Sequence, residues 1–287
     1  MVDLPLHESS ATLLPGPLAE LPTRIAAAGG LAGALATRLE PDPAGLSRAA
    51  LVEAASAEAD RLADIVVRPE HLVLGLVRAT GGALARAREV WQLIVAERAY
   101  ADYLELRPGG GTPVVVLVAG VPGTGKSTLA EGLARRLRAP VFSMDWQMGA
   151  LRPFGVLRDD NVAPLAETNL TASVARQLHL GLDAVIDATG HRREVRDRWR
   201  ALVERLGGVF LGVECVCSDE QAQRARVEGR SRGIPGWHAT VSWEHVQRMK
   251  TLWEPWEAPH LVIDSAVDGP DEALAKVLAR YREIAER

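Results

Sequence analysis

The chain has 287 residues, 47% hydrophobic and 24% charged, with a formal net charge of −4. That composition suits a globular protein with a sizeable core, and the charge gives no reason to expect nucleic acid or an acidic membrane surface as partner. No run approaches the roughly 18 apolar residues of a membrane helix.

The N-terminal stretch MVDLPLHESSATLLPGP carries acidic residues where a secretory signal would be basic, and Pro interrupts its apolar run. A cytoplasmic protein is the expectation. Residues 20–106 are rich in Ala, Leu and Arg at helical spacing, broken at Gly29-Gly30, at Pro41-Asp42-Pro43 and at Gly81-Gly82. Three to five helices are expected there. The run Arg107-Pro108-Gly109-Gly110-Gly111-Thr112-Pro113 is the most linker-like in the chain. It suggests an all-α domain over 1–107 and a second domain over 108–287.

Beyond the linker, short β-branched runs alternate with amphipathic stretches. Strands are expected at Val114–Ala119, Val141–Met144, Ala184–Asp187, Val209–Val216 and Leu261–Asp264. Helices are expected near 126–138, 165–180, 194–206, 219–229, 242–252 and 271–285. Continuous apolar strands between amphipathic helices indicate a parallel sheet covered on both faces. The cysteines, Cys215 and Cys217, fall two apart in one such strand and read as reduced core residues.

Gly120-Val121-Pro122-Gly123-Thr124-Gly125-Lys126-Ser127 matches the phosphate-binding pattern G-x-x-x-x-G-K-[ST] in full. A strand runs into the motif and a helix beginning with Thr128 runs out of it. The glycines let backbone N–H groups converge on phosphate, and the helix N-terminus adds its positive dipole end. The ligand this implies is ATP with Mg²⁺: Lys126 reaches the β- and γ-phosphates, and the Ser127 hydroxyl ligates the metal. Asp187, which closes the third strand, is the second candidate magnesium residue. It is followed by Ala188 rather than by a Glu that could polarise water, which favours transfer over hydrolysis.

Asp145 follows the second strand at the same sheet edge and could accept a hydrogen bond from an attacking hydroxyl and orient it in line with the γ-phosphate. The alternative for Asp145 is a helix cap. Arg224, Arg226, Arg230 and Arg232 form a basic array in which Arg226 and Arg230 share a helix face, placed to close over ATP as a lid. The stretch from Trp146 to Asp160 reads as a long loop beside the site. Its Trp146 and Phe154 could form an apolar wall, and Arg152 and Arg158 could pair with an anionic group. His191, just after the third strand, is a further substrate candidate. Trp237, Trp243, Trp253 and Trp256 crowd the lid and the segment after it.

GVPGTGKST, the Asp in FSMDW, VIDATGHRREVRDRW, SDEQAQRARVEGR and LWEPWEAPHLVID together resemble the P-loop kinases related to chloramphenicol phosphotransferase, gluconate kinase, zeta toxins and polynucleotide kinases. The resemblance covers about half the chain. It implies a P-loop NTPase sheet of five parallel strands in the order 2-3-1-4-5, Asp145 as the substrate-activating carboxylate, and Arg226 and Arg230 as lid residues. Many relatives have a second acidic or small polar residue where this chain has Trp146. Part of the N-terminal region, Ala54–Asp60 and Arg68–Arg78, is similar to a helical repeat of Clp chaperone N-domains. That likeness implies a protein-docking module; the simpler reading is an Ala-rich bundle. The expected activity is ATP- and Mg²⁺-dependent transfer of phosphate to a hydroxyl of a small molecule such as an antibiotic, sugar or nucleoside. A kinase of RNA or DNA ends, or an ATP-driven switch that uses the N-terminal helices to hold a protein partner, are the alternatives.

Overall fold

The computed structural model describes residues 4–62, 64–158, 161–228, 233–235 and 241–286. It divides into two compact units, Met1–Arg98 and Ala99–Arg287.

The first unit is helical. Its helices are α1 (Glu8–Leu13), α2 (Leu21–Ala28), α3 (Gly30–Leu39), α4 (Arg48–Arg61), α5 (Pro69–Ala79) and the first part of α6 (Leu84–Leu104). The Gly and Pro breaks of the sequence fall between them, so each punctuator ends the helix it was expected to end. Leu21, Ile25, Leu35, Leu51, Leu72, Leu74 and Leu76 are fully buried in one core. Inside that core lies Glu58, on α4, with no exposed surface. Its carboxylate accepts from Arg88 Nη2 at 2.7 Å and Nε at 3.0 Å, from Arg78 Nη1 at 2.9 Å and from Arg61 Nε at 3.1 Å. Forked arginine donors are the geometry that can offset the cost of burying a carboxylate.

The second unit is an α/β sandwich around five parallel strands in the order β2-β3-β1-β4-β5. These are β1 (Val114–Ala119), β2 (Val141–Ser143), β3 (Ala184–Ala188), β4 (Val209–Val216) and β5 (Leu261–Asp264). Fold class, strand order and the preceding helical region are as the sequence implied. Val114, Val116 and Val118 face one layer, formed by α7 (Lys126–Leu137) and a C-terminal helix at Pro270–Ala285. Val115, Leu117 and Ala119 face the other, formed by helices at Val162–His179 and Arg193–Arg205. Burial on both faces explains why β1 reads as an unbroken apolar run rather than an alternating one.

The remaining helices, in chain order, are α8 (Met144–Leu151), α9 (Val162–His179), α10 (Arg193–Arg205), α11 (Glu220–Glu228), α12 (Trp243–Thr251) and α13 (Pro270–Ala285). Two expectations need correction. The stretch after Asp145 is not simply a loop, because α8 starts directly at Met144 and a 3₁₀ turn follows at Arg152–Phe154. Met, Gln, Ala and Leu are good helix formers, and Pro153 and Gly155 stop the run. Cys217 lies just past β4 and is half-buried, so only Cys215 is a core residue; both thiols are free. Burial pushes the Cys215 thiol up to about 12, which leaves it protonated and inert. No described helix is long and apolar enough to cross a membrane.

Glu58 gives a stability prediction. Burial works to raise its pKa, but the hydrogen bonds and charges of Arg88, Arg78 and Arg61 outweigh that and hold it below the ordinary 4.5. A carboxyl depressed in the folded state stabilises above its unfolded pKa, and that contribution is lost as pH falls from about 4.5 through the folded value. Glu58→Ala, which removes the carboxylate that Arg61, Arg78 and Arg88 share, should cost the helical unit about 3–5 kcal/mol in urea denaturation of the full chain at neutral pH. It should also flatten the acid limb of the stability profile.

Candidate active site

All five strands point the same way, so their carboxyl ends gather along one edge, the usual ligand edge of an open α/β sheet. The phosphate loop leaves that edge from β1. Gly120 N donates to Thr189 O at 3.1 Å, which ties the start of the loop to the turn after β3. Gly123 has φ +86°, and a β-carbon there would stand 2.8 Å from Val227 Cγ2 and 3.0 Å from Gln223 Cγ. Only glycine permits both that backbone and the seating of α11 against the loop. Gln223, almost wholly buried, donates from Nε2 to Pro122 O at 2.9 Å, while its own side-chain carbonyl has no hydrogen-bond partner. Thr124 Oγ1 closes the loop on itself by donating to Val121 O at 2.9 Å. Lys126, Ser127 and Thr128 open α7, so its free N–H groups face the loop. Lys126 is 7% exposed.

Asp187 lies on β3 beside the loop strand, in register with Val118 of β1 and Ser143 of β2. It is buried; its Oδ2 accepts from Ser143 Oγ at 3.1 Å and its Oδ1 has no hydrogen-bond partner. A buried carboxylate oxygen without a partner is costly in the free protein. It fits a divalent cation held together with the Ser127 hydroxyl. The described residues contain no cluster of three or more His, Cys, Asp or Glu, so a metal here would complete its shell with phosphate and water oxygens. Ser143 was not singled out from the sequence. Its position at the end of β2, opposite a strand-end Asp, is the signal that would have found it.

Among the described residues, two of the cavities that flank the loop carry candidate site residues. One, of about 270 Å³, is lined by Lys126, Asp145, Thr189 and His191 together with side chains of α8, α9, α10 and α12. The other, of about 440 Å³, is lined by Thr124, Gly125, Thr128, Arg226 and the turn between β5 and α13. Asp145 and Lys126 therefore open onto one space, whereas Arg226 opens onto another. Arg226 Nη1 donates to Ser265 Oγ at 2.7 Å and Nη2 to Ser265 O at 3.0 Å, which ties α11 to the β5–α13 turn. Arg230, Arg232 and Trp237 lie outside the described residues.

The other candidates are dispersed. Trp146 is 54% and Phe154 78% exposed, and neither lines the 270 Å³ cavity. Arg152 is exposed and Arg158 half-buried; the Arg158 backbone N–H donates to Asn161 Oδ1 at 2.8 Å. His191 does line the cavity. Burial first, and Arg192 and Arg196 with it, push its imidazole below the ordinary 6.5 against the opposing pull of Glu254. It is therefore neutral at neutral pH and can give or take one hydrogen bond there.

The turn that carries Thr189 and His191 is braced by Arg196, which is 2% exposed. Arg196 Nη1 donates to Gly190 O at 2.6 Å, and Nη2 to Glu254 O at 2.7 Å and Pro255 O at 3.0 Å. Its guanidinium lies 4.6 Å from the Trp256 ring centroid and 5.6 Å from that of Trp253. Both rings thus lie within cation–π reach of a structural arginine. Nothing in the sequence distinguished Arg196 from the other arginines of α10.

Residues 115–256 match the family model described as an AAA domain, AAA_33. A probable bifunctional SAT/APS kinase 2 from Sorangium cellulosum is 27% identical over 180 residues, which is 59% of this chain and 29% of that protein. The chain thus spans under a third of that curated relative. Among solved structures, a sugar kinase from Janibacter is 18% identical with a TM-score of 0.46, covering 61% of this chain and 96% of that one. A gluconokinase from Sinorhizobium meliloti is 21% identical with a TM-score of 0.43, covering 63% and 95%. The resemblance to P-loop kinases drawn from the motifs is borne out.

The metal fit yields a prediction. Asp187→Asn should leave the fold intact and raise the magnesium concentration needed for nucleotide to bind, read by calorimetry across a magnesium titration. An unchanged titration would remove Asp187 from the site.

Proposed function

We propose that the protein, whose residues 115–256 match the AAA_33 family model, transfers the γ-phosphate of ATP to a hydroxyl of a small molecule. The observation that carries this reading is the shared cavity: Lys126 of the phosphate loop and Asp145, in the first turn of α8 just after β2, line one space. In the proposed reaction the acceptor oxygen attacks the γ-phosphorus and its proton passes to the Asp145 carboxylate. The bond from the γ-phosphorus to the bridging oxygen breaks with its electron pair, and ADP leaves. Lys126 compensates charge on the transferring group, and the loop amides hold the phosphates. Mg²⁺, held by Ser127 and Asp187, would supply charge neutralisation between the phosphates. The cavity bearing Arg226 supports a donor side separate from the acceptor side, with Arg226, and Arg230 after it, as lid residues. Ala188 after Asp187 supports transfer over hydrolysis, since no carboxylate follows to polarise water. Trp146, Arg152 and Arg158 enter this reading only if the segment bearing them moves toward the acceptor. The first unit enters it as a docking element for a protein partner or for the chain itself, the role that its Clp-like stretch suggests.

Two measurements test the proposal. Lys126→Ala should cut transfer by about 10²-fold or more; a variant keeping over half of wild-type turnover would remove the loop from catalysis. Asp145→Asn should abolish transfer while leaving the ATP dissociation constant near wild type, because ATP is held from β1 and α7 and the acceptor from β2. Equal losses in both would make Asp145 structural.

A further inference from the structure

The acceptor cavity has a division of labour in its lining. Most of its polar groups come from the phosphate loop, the start of α8 and the turn after β3, namely Lys126, Asp145, Thr189, His191 and Arg192; Glu167 of α9 and His245 of α12 are the polar side chains that the helical walls add. The side chains that the flanking helices present to it include Met148 from α8, Leu170 from α9, Trp199 from α10 and Met249 from α12. Met144, at the start of α8, joins them, so three of the chain's four methionines line this one space. Met148 is 1% exposed and Leu170 wholly buried. The Trp199 indole N–H is already given to Thr171 Oγ1 at 3.0 Å, which leaves its ring to the cavity.

The charges on this wall are spent internally. Arg192 and Glu167 both line the cavity, and they pair with each other. The second Glu167 oxygen takes Arg198 Nη2 at 3.3 Å. Recognition of a carboxylate or phosphate acceptor calls for an arginine fork or a lysine aimed at it. Among the described lining residues the only other Lys or Arg is Lys126, which the loop motif commits to the donor phosphates. A polyhydroxy sugar would need a hydrogen-bond partner for each hydroxyl it buries, and beyond His245 and the Glu167 already paired with Arg192 and Arg198 the helical walls offer carbon and sulfur.

We infer that the acceptor is a neutral alcohol with a largely apolar body, its hydroxyl toward Asp145 and its body against Met144, Met148, Met249, Leu170 and Trp199. This rests on the proposed reading of the cavity as the acceptor site. It narrows antibiotic, sugar or nucleoside to molecules that bury carbon rather than hydroxyls or charge. Methionine side chains are unbranched and adaptable, so the site should accept several apolar shapes of similar size rather than one.

The methionines also supply the test. The full-length protein, labelled with ¹³C at the methionine methyls and saturated with ADP and Mg²⁺, is titrated in parallel with 3-phenylpropan-1-ol, glucose and gluconate. Phosphoryl transfer from ATP to each compound is followed by mass. The expected result is that the aryl alcohol shifts the Met144, Met148 and Met249 methyl signals and the other two compounds do not. Its kcat/KM should exceed theirs by about tenfold or more, the scale on which buried methylenes discriminate. Met148→Gln should weaken the alcohol's binding in the same assay. Methyl shifts with glucose or gluconate at lower concentration, or faster transfer to either, would overturn the inference and leave the kinase reading standing. No methyl shift with the alcohol would also overturn it. Shifts with the alcohol but no transfer to any of the three would uphold the cavity's preference and count against the kinase reading instead.

Discussion

The pairing of β1 with β3 sets where everything else in the second unit can be. Val118 opposite Asp187 and Ala119 opposite Ala188 bring the phosphate loop and the strand-end carboxylate to the same level of the sheet. The bond from Gly120 N to Thr189 O then carries that level one residue past each strand. A register slip of one residue would turn Asp187 into the opposite helical layer, since successive side chains of a strand alternate faces. Because both faces of β1 are buried by valines and leucines, such a slip would also bury the polar group without its partners.

Around that fixed pair, mobile-looking chemistry is held by ordinary packing. The glycine at 123 admits Val227 and Gln223 of α11, so the putting-together of loop and helix depends on a missing side chain rather than on an added one. Arg196 does the corresponding work for the turn after β3, where three backbone carbonyls from two segments share one guanidinium. Arginine suits that position because its several N–H donors lie in a rigid plane that also stacks on indole rings. The residues that touch the two cavities are thus positioned from strands and helices, with only short turns left to set their direction.

Much of this was legible in the residues. The strands were bounded to within one residue because each is a short, mainly apolar and β-branched run set between helical stretches, and sheet order followed from the family resemblance. The phosphate loop identified itself by motif and context together. What escaped was whatever depends on partners distant in the chain. Trp146, Arg152 and Arg158 looked close to the site because they follow Asp145 in sequence. A helix begins there, and it turns Trp146 and Arg152 outward. Arg226 was read as a lid residue from its helix face and the family resemblance, but its bond to Ser265, 39 residues away, which sets the cavity it faces, had no signal in the sequence. Glu167, Met148 and Met249 lie in no quoted motif, Ser143, Met144 and Arg196 lie in matched segments without being singled out, and the importance of all six comes from what the fold sets beside them.

The run at 107–113 bears on how the protein can be cut. A glycine-rich stretch is normally slack in a chain, but Gly109 N is bonded to Leu178 O at 3.2 Å and His179 Nδ1 sits 2.8 Å from Arg107 O. A β-carbon on Gly109 would fall 2.2 Å from Gly181 N, so the two glycines meet backbone to backbone. Tyr100, Tyr103, Leu104 and Leu106, upstream of the run, pack into the layer under α9 and α10. Excising the second unit at Pro108, where the sequence places the boundary, would strip that layer of its aromatic cover and remove the Arg107 carbonyl from His179 at the end of α9. A fragment intended to stand by itself has to begin before Tyr100.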